Sequence, residues 1–499
     1  MAENDASAGH VFVVRGRLES VDWDAAVVST SGSFVPRDHW WPVLGITGPV
    51  DQAPPGAGRI RSFPKDGRPV WLLNVASRIS VSWLVDGVHD VLDAIAATGI
   101  EPGGRRIKPL IALPTFGVGL GGQGMVRGQV IKALVEAATS CAAKYDFDIV
   151  FVVANNSDYA AYQSVRRVHL RNVGVPLHVQ ELADKLQAGD VSLLLGAGVS
   201  IPAGLPTWDG LLETIRSDVL PEMSTEDFAL LGVLDRAQLL SKSMEPDQLG
   251  ERVAELTGDR DVKPTLAHCL LSSLAVSKVV TTNYDSLYEK AFESAHGAGS
   301  IAVLPRGEVT ADRPWILKLH GDISDPSSIV LSRRDFVRYD AERRPLGSIV
   351  QSLMATGHLI VVGASMTDDN VLRLAHEVLA LNERHSRQRS LGTVITLRND
   401  TLRTALWRGD FDYVAASKAE DDATAARDLE ILLDSVSILT SVDAPYLLDT
   451  NYRGLLDGDE VKLADALRDA SKIIGKLPSE SRDRWRTLES ALIELGAKP

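Results

Sequence analysis

The sequence has very little cysteine and no long apolar run. Only two cysteines, Cys141 and Cys269, occur among its 499 residues. That count excludes a framework of several disulfides and a zinc site built from four cysteines, and we expect both thiols to be buried as small apolar side chains. No apolar segment approaches the roughly 20 residues that a membrane-spanning helix requires. We therefore expect neither a metal nor a membrane as a partner.

Positive charge is also scarce. The chain has 52 lysines and arginines against 66 aspartates and glutamates, for a net charge of -14. This balance argues against nucleic acid or an anionic membrane surface as the main partner. The opening segment MAENDASAGH is polar and acidic and unlike a secretory signal peptide, so we expect a cytoplasmic protein. With 45% hydrophobic and 24% charged residues, the composition is typical of globular domains.

Three stretches differ in the pattern of their apolar residues. Residues 10–170 alternate strand-like runs such as HVFVVRGRL with helix-like runs such as QVIKALVEAATSCAAKY, which predicts a first α/β domain over 1–175. Residues 176–417 form a second α/β series with a helix-rich insertion at 222–275, and residues 418–499 have a helical pattern. The second series favours strands buried on both faces of a parallel, Rossmann-like sheet. Its strand candidates are VSLLL, SKVVTTN, WILKLHG, HLIVVGAS and GTVITL.

Four strand candidates of the second series end in small or polar residues. These clusters are GAGVS at 196–200, TTNYD at 281–285, HGD at 320–322 and GASM at 363–366. Any one of them alone is explained equally well by a turn or a helix cap. Ligands of an open parallel sheet lie beyond the carboxyl ends of its strands, so four clusters in register predict a binding crevice at that edge.

Taken in order, GAGVS, TTNYD, LKLHGD and VVGAS resemble the NAD-binding core of sirtuins, over about residues 185–400. The longer segment GAGVSIPAGLPTW is similar to a bacterial sirtuin-like branch that destroys NAD in phage defence. The resemblance implies a Rossmann-like core with NAD+ as the substrate.

The resemblance also implies binding roles for the residues in these motifs. The amides of Gly196, Ala197 and Gly198 and the Ser200 hydroxyl would contact the pyrophosphate, which agrees with the close approach that glycine permits and the free amides of a following helix. Trp208 would either cover the nicotinamide ribose or anchor the core. The other implied cofactor-binding residues are Thr207 and Asp209 of the cofactor loop, Asp285 near nicotinamide, Gly363 and Ser365 on the adenosine side, and Thr396, which replaces the usual ribose-binding Asn.

Two residues carry the implied chemistry. Nicotinamide leaves ribose C1′ as a neutral group through an oxocarbenium-like state, so the protein has to hold the ribose and position a nucleophile. By the resemblance, His320 accepts a proton from a ribose hydroxyl or from water, and Asn283 orients a water near C1′.

Deacylase sirtuins frame their acyl-lysine groove with a zinc ribbon that needs four cysteines, and this chain has two. A helical insertion occupies the corresponding space, so water is the favoured acceptor and the expected reaction is hydrolysis of NAD+ to nicotinamide and ADP-ribose. A deacylase, an ADP-ribosyltransferase and a non-catalytic NAD or ADP-ribose sensor are the alternatives.

The first α/β domain resembles a macro domain, the module that binds ADP-ribose. VVRGRLESVDWDAAVVST resembles its opening strand pair and KPLIALPTFGVGLGG its phosphate loop. Glycines in that loop suit an anion cradle after a strand, and they are Gly117, Gly119, Gly121 and Gly122. Arg17 stands where most macro domains have an acidic residue that recognises adenine. The domain therefore either binds a modified nucleotide or is a scaffold without a ligand.

A macro-like module before an NAD-consuming core predicts an enzyme gated by an ADP-ribose-type nucleotide signal, as related sirtuin-like effectors of antiphage defence are gated by nucleotides. The C-terminal helices carry no recognisable chemical motif. The amphipathic spacing of RDRWRTLESALIELG favours a packed bundle or a contact between the subunits of a homo-oligomer.

Overall fold

The computed structural model describes residues 8–52, 58–63, 67–75, 80–118, 127–385, 389–442 and 444–498. The chain forms two compact units. The first consists of Met1–Gln180 together with Leu433–Pro499, and the second of Glu181–Leu432. The predicted boundary at 175/176 lies close to the first junction, whereas the predicted C-terminal region 418–499 divides between the two units.

Most β-strands of the described residues coincide with the apolar runs of the sequence. They are β1 Val11–Arg15, β2 Ala25–Thr30, β3 Ile60–Phe63, β4 Val70–Asn74, β5 Leu110–Leu113, β6 Asp148–Val153, β7 Val191–Leu195, β8 Lys278–Thr281, β9 Ala302–Leu304, β10 Trp315–Lys318, β11 His358–Val362, β12 Gly392–Thr396 and β13 Phe411–Ala415.

The α-helices of the described residues follow most of these strands. They are α1 Trp41–Leu44, α2 Val81–Ala96, α3 Arg127–Tyr145, α4 Asn156–Val173, α5 Leu177–Gln187, α6 Trp208–Val219, α7 Thr225–Ala229, α8 Val233–Lys242, α9 Gln248–Leu256, α10 Leu266–Ser273, α11 Leu287–His296, α12 Arg333–Thr356, α13 Asp369–Arg384, α14 Thr401–Leu406, α15 Asp422–Thr440, α16 Gly458–Gly475, α17 Ser479–Asp483 and α18 Arg486–Glu494.

The first unit is built on a mixed sheet in the order β1-β6-β5-β2-β4-β3. Its strands pair in parallel except for β3, which pairs antiparallel with β4. Strands β1, β5 and β6 are apolar and almost wholly buried, as expected where helices cover both faces of a sheet. The sequence pattern predicts these strands correctly but misses β3, a short edge strand whose side chains are half-buried or exposed.

Buried ion pairs tie the C-terminal segment into the first unit. The carboxylate of Asp434, on α15, is fully buried and accepts hydrogen bonds from both terminal nitrogens of Arg166 and from His10 Nε2 at 2.8 Å. Arg166 also donates to the Gln163 side chain at 2.8 Å. Burial raises the pKa of Asp434, but the charge of Arg166 and the bond from His10 outweigh burial and leave that pKa below its ordinary value. The C-terminal region therefore contributes a buried charge to the core of the first unit.

The second unit is built on a parallel sheet in the order β13-β12-β11-β7-β8-β10-β9. All of its strand pairs run parallel. The predicted strands β7, β8, β10, β11 and β12 are all present, which confirms the α/β class with a Rossmann-like parallel core. The prediction missed β9, which has only three residues, and β13, whose side chains are mostly half-buried or exposed.

The segment 222–275, predicted to be a helical insertion, contains α7 to α10, which lie between β7 and β8 in the chain. Phe228, Leu240 and Val253 of the insertion pack in one apolar cluster with Leu211 and Leu212 of α6. The insertion is thus part of the core beside the carboxyl end of β7, and not an appendage.

Candidate active site

The parallel sheet of the second unit brings the predicted clusters to one edge. Strands β11, β7, β8 and β10 are consecutive neighbours, and parallel strands present their carboxyl ends on the same side. The glycine turn after β7 therefore lies between the segment after β11 and the segment after β8. This position, where the chain order reverses across the sheet, is the usual ligand site of such folds.

The glycines after β7 are required by a close approach between two strand ends. The N–H of Gly196 donates to Val362 O at 3.0 Å, and that of Gly198 to Gly363 O at 2.9 Å. A Cβ on Gly196 would lie 2.6 Å from Ala364 Cα, and one on Gly198 would lie 2.8 Å from Gly363 Cα. The backbone of Gly363 has a φ of +70° and a Cβ there would lie 2.7 Å from Val199 N. Glycine is needed at these positions whether or not a ligand binds.

This packing bears on the expected pyrophosphate contacts. Two of the three predicted amide donors, those of Gly196 and Gly198, already donate to backbone carbonyls. Within the described part of the chain, the Ala197 amide has no such acceptor. The hydroxyl of Ser200 is also engaged, since it donates to Asp285 Oδ2 at 3.0 Å. Of the four predicted contacts, the Ala197 amide is the one that this conformation leaves for an anion.

Asn283 lies after β8 with its side chain 9% exposed. Its Nδ2 donates to Gly196 O at 3.1 Å and to Ser200 Oγ at 3.2 Å. Its Oδ1 is buried and has no hydrogen-bond partner among the described residues. Asp285 completes the cluster, with Oδ1 accepting from Leu287 N at 3.1 Å. A buried, unsatisfied acceptor costs stability, so the Asn283 oxygen is a candidate contact for water or substrate.

Sequence reasoning missed His268, which joins the same cluster from α10. Its Nε2 lies 3.4 Å from Ser200 Oγ and its Nδ1 lies 2.8 Å from Thr265 Oγ1. Burial lowers the pKa of His268 to about 4, so the imidazole is neutral near pH 7. The segment PTLAHCLL signals this histidine only as part of a capping box at the start of α10.

A cavity of about 50 Å³ opens beside Asn283. Ligand pockets usually measure about 300–1,000 Å³, so this conformation has room for water but not for a dinucleotide. Trp208, the first residue of α6, forms part of its wall. The full lining is Ala197, Ser200, Leu205, Pro206, Trp208, Leu211, Thr257, Thr282, Asn283, Tyr284 and Asp285.

The neighbours of Trp208 in the predicted cofactor loop have structural contacts. Thr207 caps α6, its hydroxyl accepting from Gly210 N at 3.2 Å. Asp209 is exposed and pairs with Arg236 at 2.6 Å. Neither side chain lines the cavity. Trp208 itself is half-buried and packs on the apolar cluster of the insertion, so it acts as a core anchor in this conformation.

His320 follows β10 and is fully buried. Its ring lies 6.4 Å from the Trp208 ring and 5.3 Å from the Phe336 ring, centre to centre. Neither ring nitrogen has a hydrogen-bond partner among the described residues. His320 does not line the cavity beside Asn283, and Trp208 is the side chain that touches both the cavity and the imidazole. The histidine is therefore close to the predicted centre but closed off from it.

Asp368 is a second group that sequence reasoning missed. Its Oδ2 lies 3.4 Å from His320 Nε2, and its side chain also caps α13 by accepting from Val371 N at 3.0 Å. Burial raises the pKa of Asp368, but the His320 imidazole and the amides of α13 outweigh burial and leave that pKa below its ordinary value. An aspartate at a helix start reads as a cap in sequence, so the pairing with His320 has no separate signal.

A buried lysine anchors the segment after β8 to β10. Lys318 Nζ donates to the backbone oxygen of Asp285 and to Glu289 Oε1 at 3.1 Å. Burial lowers the pKa of Lys318, but the charges of Glu289 and Asp285 outweigh burial and keep that pKa above its ordinary value. The lysine therefore stays charged. It links β10, which precedes His320, to the segment after β8, which contains Asn283.

Two predicted cofactor contacts lie apart from this cluster. Ser365 is exposed, and its hydroxyl lies 2.7 Å from Thr367 Oγ1. Thr396 ends β12, two strands from β7, and its hydroxyl donates to Val414 O at 3.4 Å. The structure places both on the same sheet edge but not against Asn283.

A larger cavity of about 300 Å³ lies beside β9 and β10. Its charged lining is largely satisfied internally. Arg306 donates to Asp322 at 2.9 Å, Arg343 donates to Ser328 O, and the other Asp322 oxygen accepts from Ser324 at 2.7 and 2.8 Å. Size alone therefore does not make it the better candidate site.

The predicted nucleotide loop of the first unit is described only in part. Gly117 follows β5 with a φ of +70°, whereas Gly119, Gly121 and Gly122 lie outside the described residues. Just beyond the loop, Arg127 donates to both oxygens of Asp158, at 2.5 and 2.8 Å. Tyr452 of the C-terminal segment donates to the same carboxylate at 2.7 Å.

The described residues contain neither a cluster of metal ligands nor a helix that could span a membrane. Among them, no group of three or more His, Cys, Asp or Glu side chains is arranged to hold a metal ion. No described helix combines the length and apolar character needed to cross a membrane.

Residues 277–411 match the family model of the SIR2-like domain. The matched region begins just before β8 and ends at β13, so it contains Asn283, Asp285, His320 and Asp368. Over this part of the chain, the parallel sheet and its polar edge are therefore similar to a SIR2-like domain.

Several relatives are NAD+ hydrolases by name. The chain is 25% identical over 246 residues to the NAD(+) hydrolase ThsA of Bacillus cereus strain MSX-D12, covering 48% of this chain and 49% of that protein. It is 25% identical over 211 residues to ThsA of Enterococcus faecium, covering 40% and 42%. It is 20% identical over 210 residues to the defense-associated sirtuin 2 of Bacillus subtilis, covering 41% and 21%. The chain thus spans about half or less of the length of these relatives.

Solved structures include a Sir2 protein in complex with an inhibitor, 2′-O-acetyl-ADP-ribose and a deacetylated p53 peptide. That chain is 16% identical, with a TM-score of 0.26, covering 50% of this chain and 98% of the other. A TM-score of this size does not by itself establish a common fold.

Proposed function

We propose that the protein is an NAD+ glycohydrolase. Water would attack ribose C1′ as the bond to nicotinamide breaks with its electron pair, giving nicotinamide, ADP-ribose and one proton. The observation that carries the proposal is the buried Oδ1 of Asn283, which has no partner among the described residues, on a residue that lines the cavity beside Asp285. The similarity to NAD(+) hydrolases over the same part of the chain supports it.

Each polar group of the site has a role in this reaction. Asn283 Oδ1 accepts a hydrogen bond from the attacking water and holds it near C1′. His320 takes the proton of that water or of a ribose hydroxyl, and Asp368 stabilises the imidazolium that results. Asp285 and the Ala197 amide contribute to binding at the nicotinamide and pyrophosphate ends.

We propose further that the enzyme is gated. The cavity of about 50 Å³ and the complete burial of His320 mean that the segment around Trp208 has to move before NAD+ can bind. An ADP-ribose-type nucleotide bound by the macro-like first unit would supply the signal, and NAD depletion in the cytoplasm would serve antiphage defence. Assembly into a homo-oligomer belongs to the same proposal.

The test uses the full chain. Purified protein is incubated with NAD+ alone, with ADP-ribose-type nucleotides and with lysate of phage-infected cells, and nicotinamide and ADP-ribose are quantified by chromatography. We expect equimolar products, most strongly in an activated arm. The variant Asn283→Ala should be inactive under every condition. The variant His358→Asn, at a half-buried position on β11 that does not line the cavity, should retain activity. No nicotinamide release in any arm would overturn the proposal.

Isotope-labelled NAD+ separates hydrolysis from transfer. Hydrolysis leaves the adenine label in free ADP-ribose, whereas label retained on protein or in an acylated product would assign a transferase. Binding of NAD+ without turnover in any arm would assign a sensor.

A further inference from the structure

The Ser200 hydroxyl is the centre of a buried cluster of four side chains. Its Oγ lies 3.0 Å from Asp285 Oδ2, 3.2 Å from Asn283 Nδ2 and 3.4 Å from His268 Nε2. Ser200 and His268 are 2% and 1% exposed. Since water has little access to the cluster, these four groups have to satisfy one another.

The protons of the cluster can be assigned from chemistry. A carboxylate only accepts hydrogen bonds, so the single hydroxyl proton of Ser200 goes to Asp285. Ser200 Oγ can then only accept from Asn283 and His268. The atom of Asn283 that faces Gly196 O at 3.1 Å also has to be a donor, because a carbonyl oxygen only accepts. Both observations identify this atom as Nδ2 and leave Oδ1 as the amide atom without a partner among the described residues, on a residue that lines the cavity.

The same assignment fixes the tautomer of His268. To donate to Ser200, the ring has to carry its proton on Nε2. Its Nδ1 is then an acceptor, which agrees with the Thr265 N–H that points at it from 3.3 Å. The Thr265 hydroxyl, 2.8 Å from Nδ1, then donates to the ring and not to Val199 O at 3.2 Å. Burial lowers the pKa of His268 to about 4, so the ring is singly protonated at neutral pH. The hydrogen bond to Ser200 is the contact through which His268 can act on Asn283.

We propose that His268 is a positioning residue of the NAD+ hydrolysis, holding Ser200 so that the Asn283 amide keeps its oxygen directed at the attacking water. The inference rests on the proposed function, and it adds a role for α10 of the insertion-bearing segment. Without the His268 donor, the Ser200 hydroxyl can rotate, and one of the two acceptors that fix the Asn283 amide is lost. Rotation of that amide would replace the water acceptor by an N–H donor.

Two variants separate positioning from packing. An Asn side chain at 268 puts its amide where Nδ1 lies, so His268→Asn keeps the contact with Thr265 and loses the donor to Ser200. A Gln side chain extends to the Nε2 position, so His268→Gln can restore that donor. We expect kcat for nicotinamide release to fall about 10–100-fold in His268→Asn with KM for NAD+ changed less than about twofold, because misplaced water lowers the rate without weakening substrate binding. His268→Gln should recover to within about threefold of the wild type.

The matched control is His358→Asn. His358 is a half-buried histidine of the second unit, with Nε2 at 2.9 Å from Thr393 Oγ1, and partial burial lowers its pKa to about 4. A loss of kcat that is equal in both Asn variants would mean a general packing effect and would overturn the proposal. Wild-type kcat in His268→Asn would overturn it as well.

A second readout reports the nucleophile directly. In water–methanol mixtures the reaction divides between ADP-ribose and its methyl glycoside, and a site that holds water through Asn283 favours the former. His268→Asn should raise the share of the methyl product, and His268→Gln should return it toward the wild-type value. A share that does not change while kcat falls would contradict positioning.

A crystal structure of His268→Asn decides the geometry without turnover. A rotated Ser200 hydroxyl or Asn283 amide supports the proposal, and an Asn283 that keeps both Nδ2 contacts overturns it. If wild-type protein releases no nicotinamide, the proposed function fails, while this structure still tests the role of His268.

Discussion

Each unit contains a buried cluster of polar side chains. The two clusters differ in how many of their polar atoms have hydrogen-bond partners. Around Asp434 in the first unit, Arg166 and His10 satisfy both carboxylate oxygens. Around Ser200 in the second unit, Asn283 Oδ1 has no hydrogen-bond partner among the described residues, and nearby His320 faces only Asp368, 3.4 Å from its Nε2. A satisfied cluster contributes to the stability of a fold, whereas unsatisfied buried groups cost stability and point to chemistry. The comparison therefore predicts a structural role for the groups around Asp434 and a catalytic role for Asn283 and His320.

The largest expected effect comes from removing the imidazole of His320. His320→Phe keeps an aromatic ring among Trp208, Phe336 and Tyr339 but removes the base, so nicotinamide release should fall about 10²–10⁴-fold. Thermal unfolding should change little, since the variant removes a buried Nδ1 without a partner among the described residues but also the 3.4 Å contact of Nε2 with Asp368. A Phe variant with wild-type turnover, or one that is strongly destabilised, would mean that His320 has a structural and not a catalytic role.

The opposite result is expected in the first unit. Arg166→Met leaves Asp434 buried without its main partner, and this should lower the free energy of unfolding by about 3–5 kcal/mol in urea titrations. Turnover per folded molecule should not change. The control is Arg453→Met, which breaks an ion pair with Asp465 whose side chains are 45% and 43% exposed and should cost less than about 1 kcal/mol. Equal losses in both variants would mean that burial does not determine how much these ion pairs contribute to the free energy of unfolding.

Acid should distinguish the two units. Burial lowers the pKa of His268 to about 4, so the unfolded chain takes up a proton near pH 6.5 that the folded unit refuses until about pH 4. The stability from this histidine is therefore complete above about pH 6.5 and is lost as pH falls toward 4, by at most about 3 kcal/mol. Asp434, whose pKa is lowered, contributes stability above its unfolded pKa and loses it only below about pH 4.

Urea unfolding followed between pH 4 and 8 measures this difference. The free energy of unfolding of the second unit should fall as the pH is lowered from 8 to 4. The variant His268→Gln should reduce the slope of that dependence by up to one proton. A pH-independent second unit would contradict the neutral, buried state of His268.

The smallest effect concerns the carboxylate that faces His320. Asp368→Asn removes the negative charge 3.4 Å from the imidazole while an asparagine still caps α13, so we expect kcat to fall about tenfold, equivalent to about 1.4 kcal/mol, without loss of fold. Asp369→Asn, at the exposed neighbouring position, is the matched control. An Asp368 variant as active as the Asp369 variant would leave the carboxylate as a cap alone.

Sequence alone predicted the sheet of the second unit well because its strands are buried on both faces. Runs such as VSLLL and LIVV have no other stable place in a globular chain. The strands it missed, β3, β9 and β13, are short or partly exposed, so their apolar signal is weak. The helical insertion was recognised from the pattern of its apolar residues. Its packing on α6 was not, because that packing depends on contacts between separate helices.

At the candidate site, sequence indicated residue types but not how their hydrogen bonds are shared. The glycines after β7 suggested amides free for phosphate, yet two of them bond to the end of β11. That competition depends on a partner more than 150 positions away in the chain. His268 and Asp368 were missed because each also serves as a helix-capping residue, and a cap is a sufficient explanation of such a residue in sequence.

The first unit is assembled from two stretches separated by the whole of the second. During synthesis, domains form as their residues emerge, so the second unit can be complete while the first still lacks Asp434. Until that residue leaves the ribosome, Arg166 has no buried carboxylate to neutralise it. The order of translation therefore makes the unit with the proposed catalytic edge the earlier to mature and the unit with the predicted nucleotide loop the later.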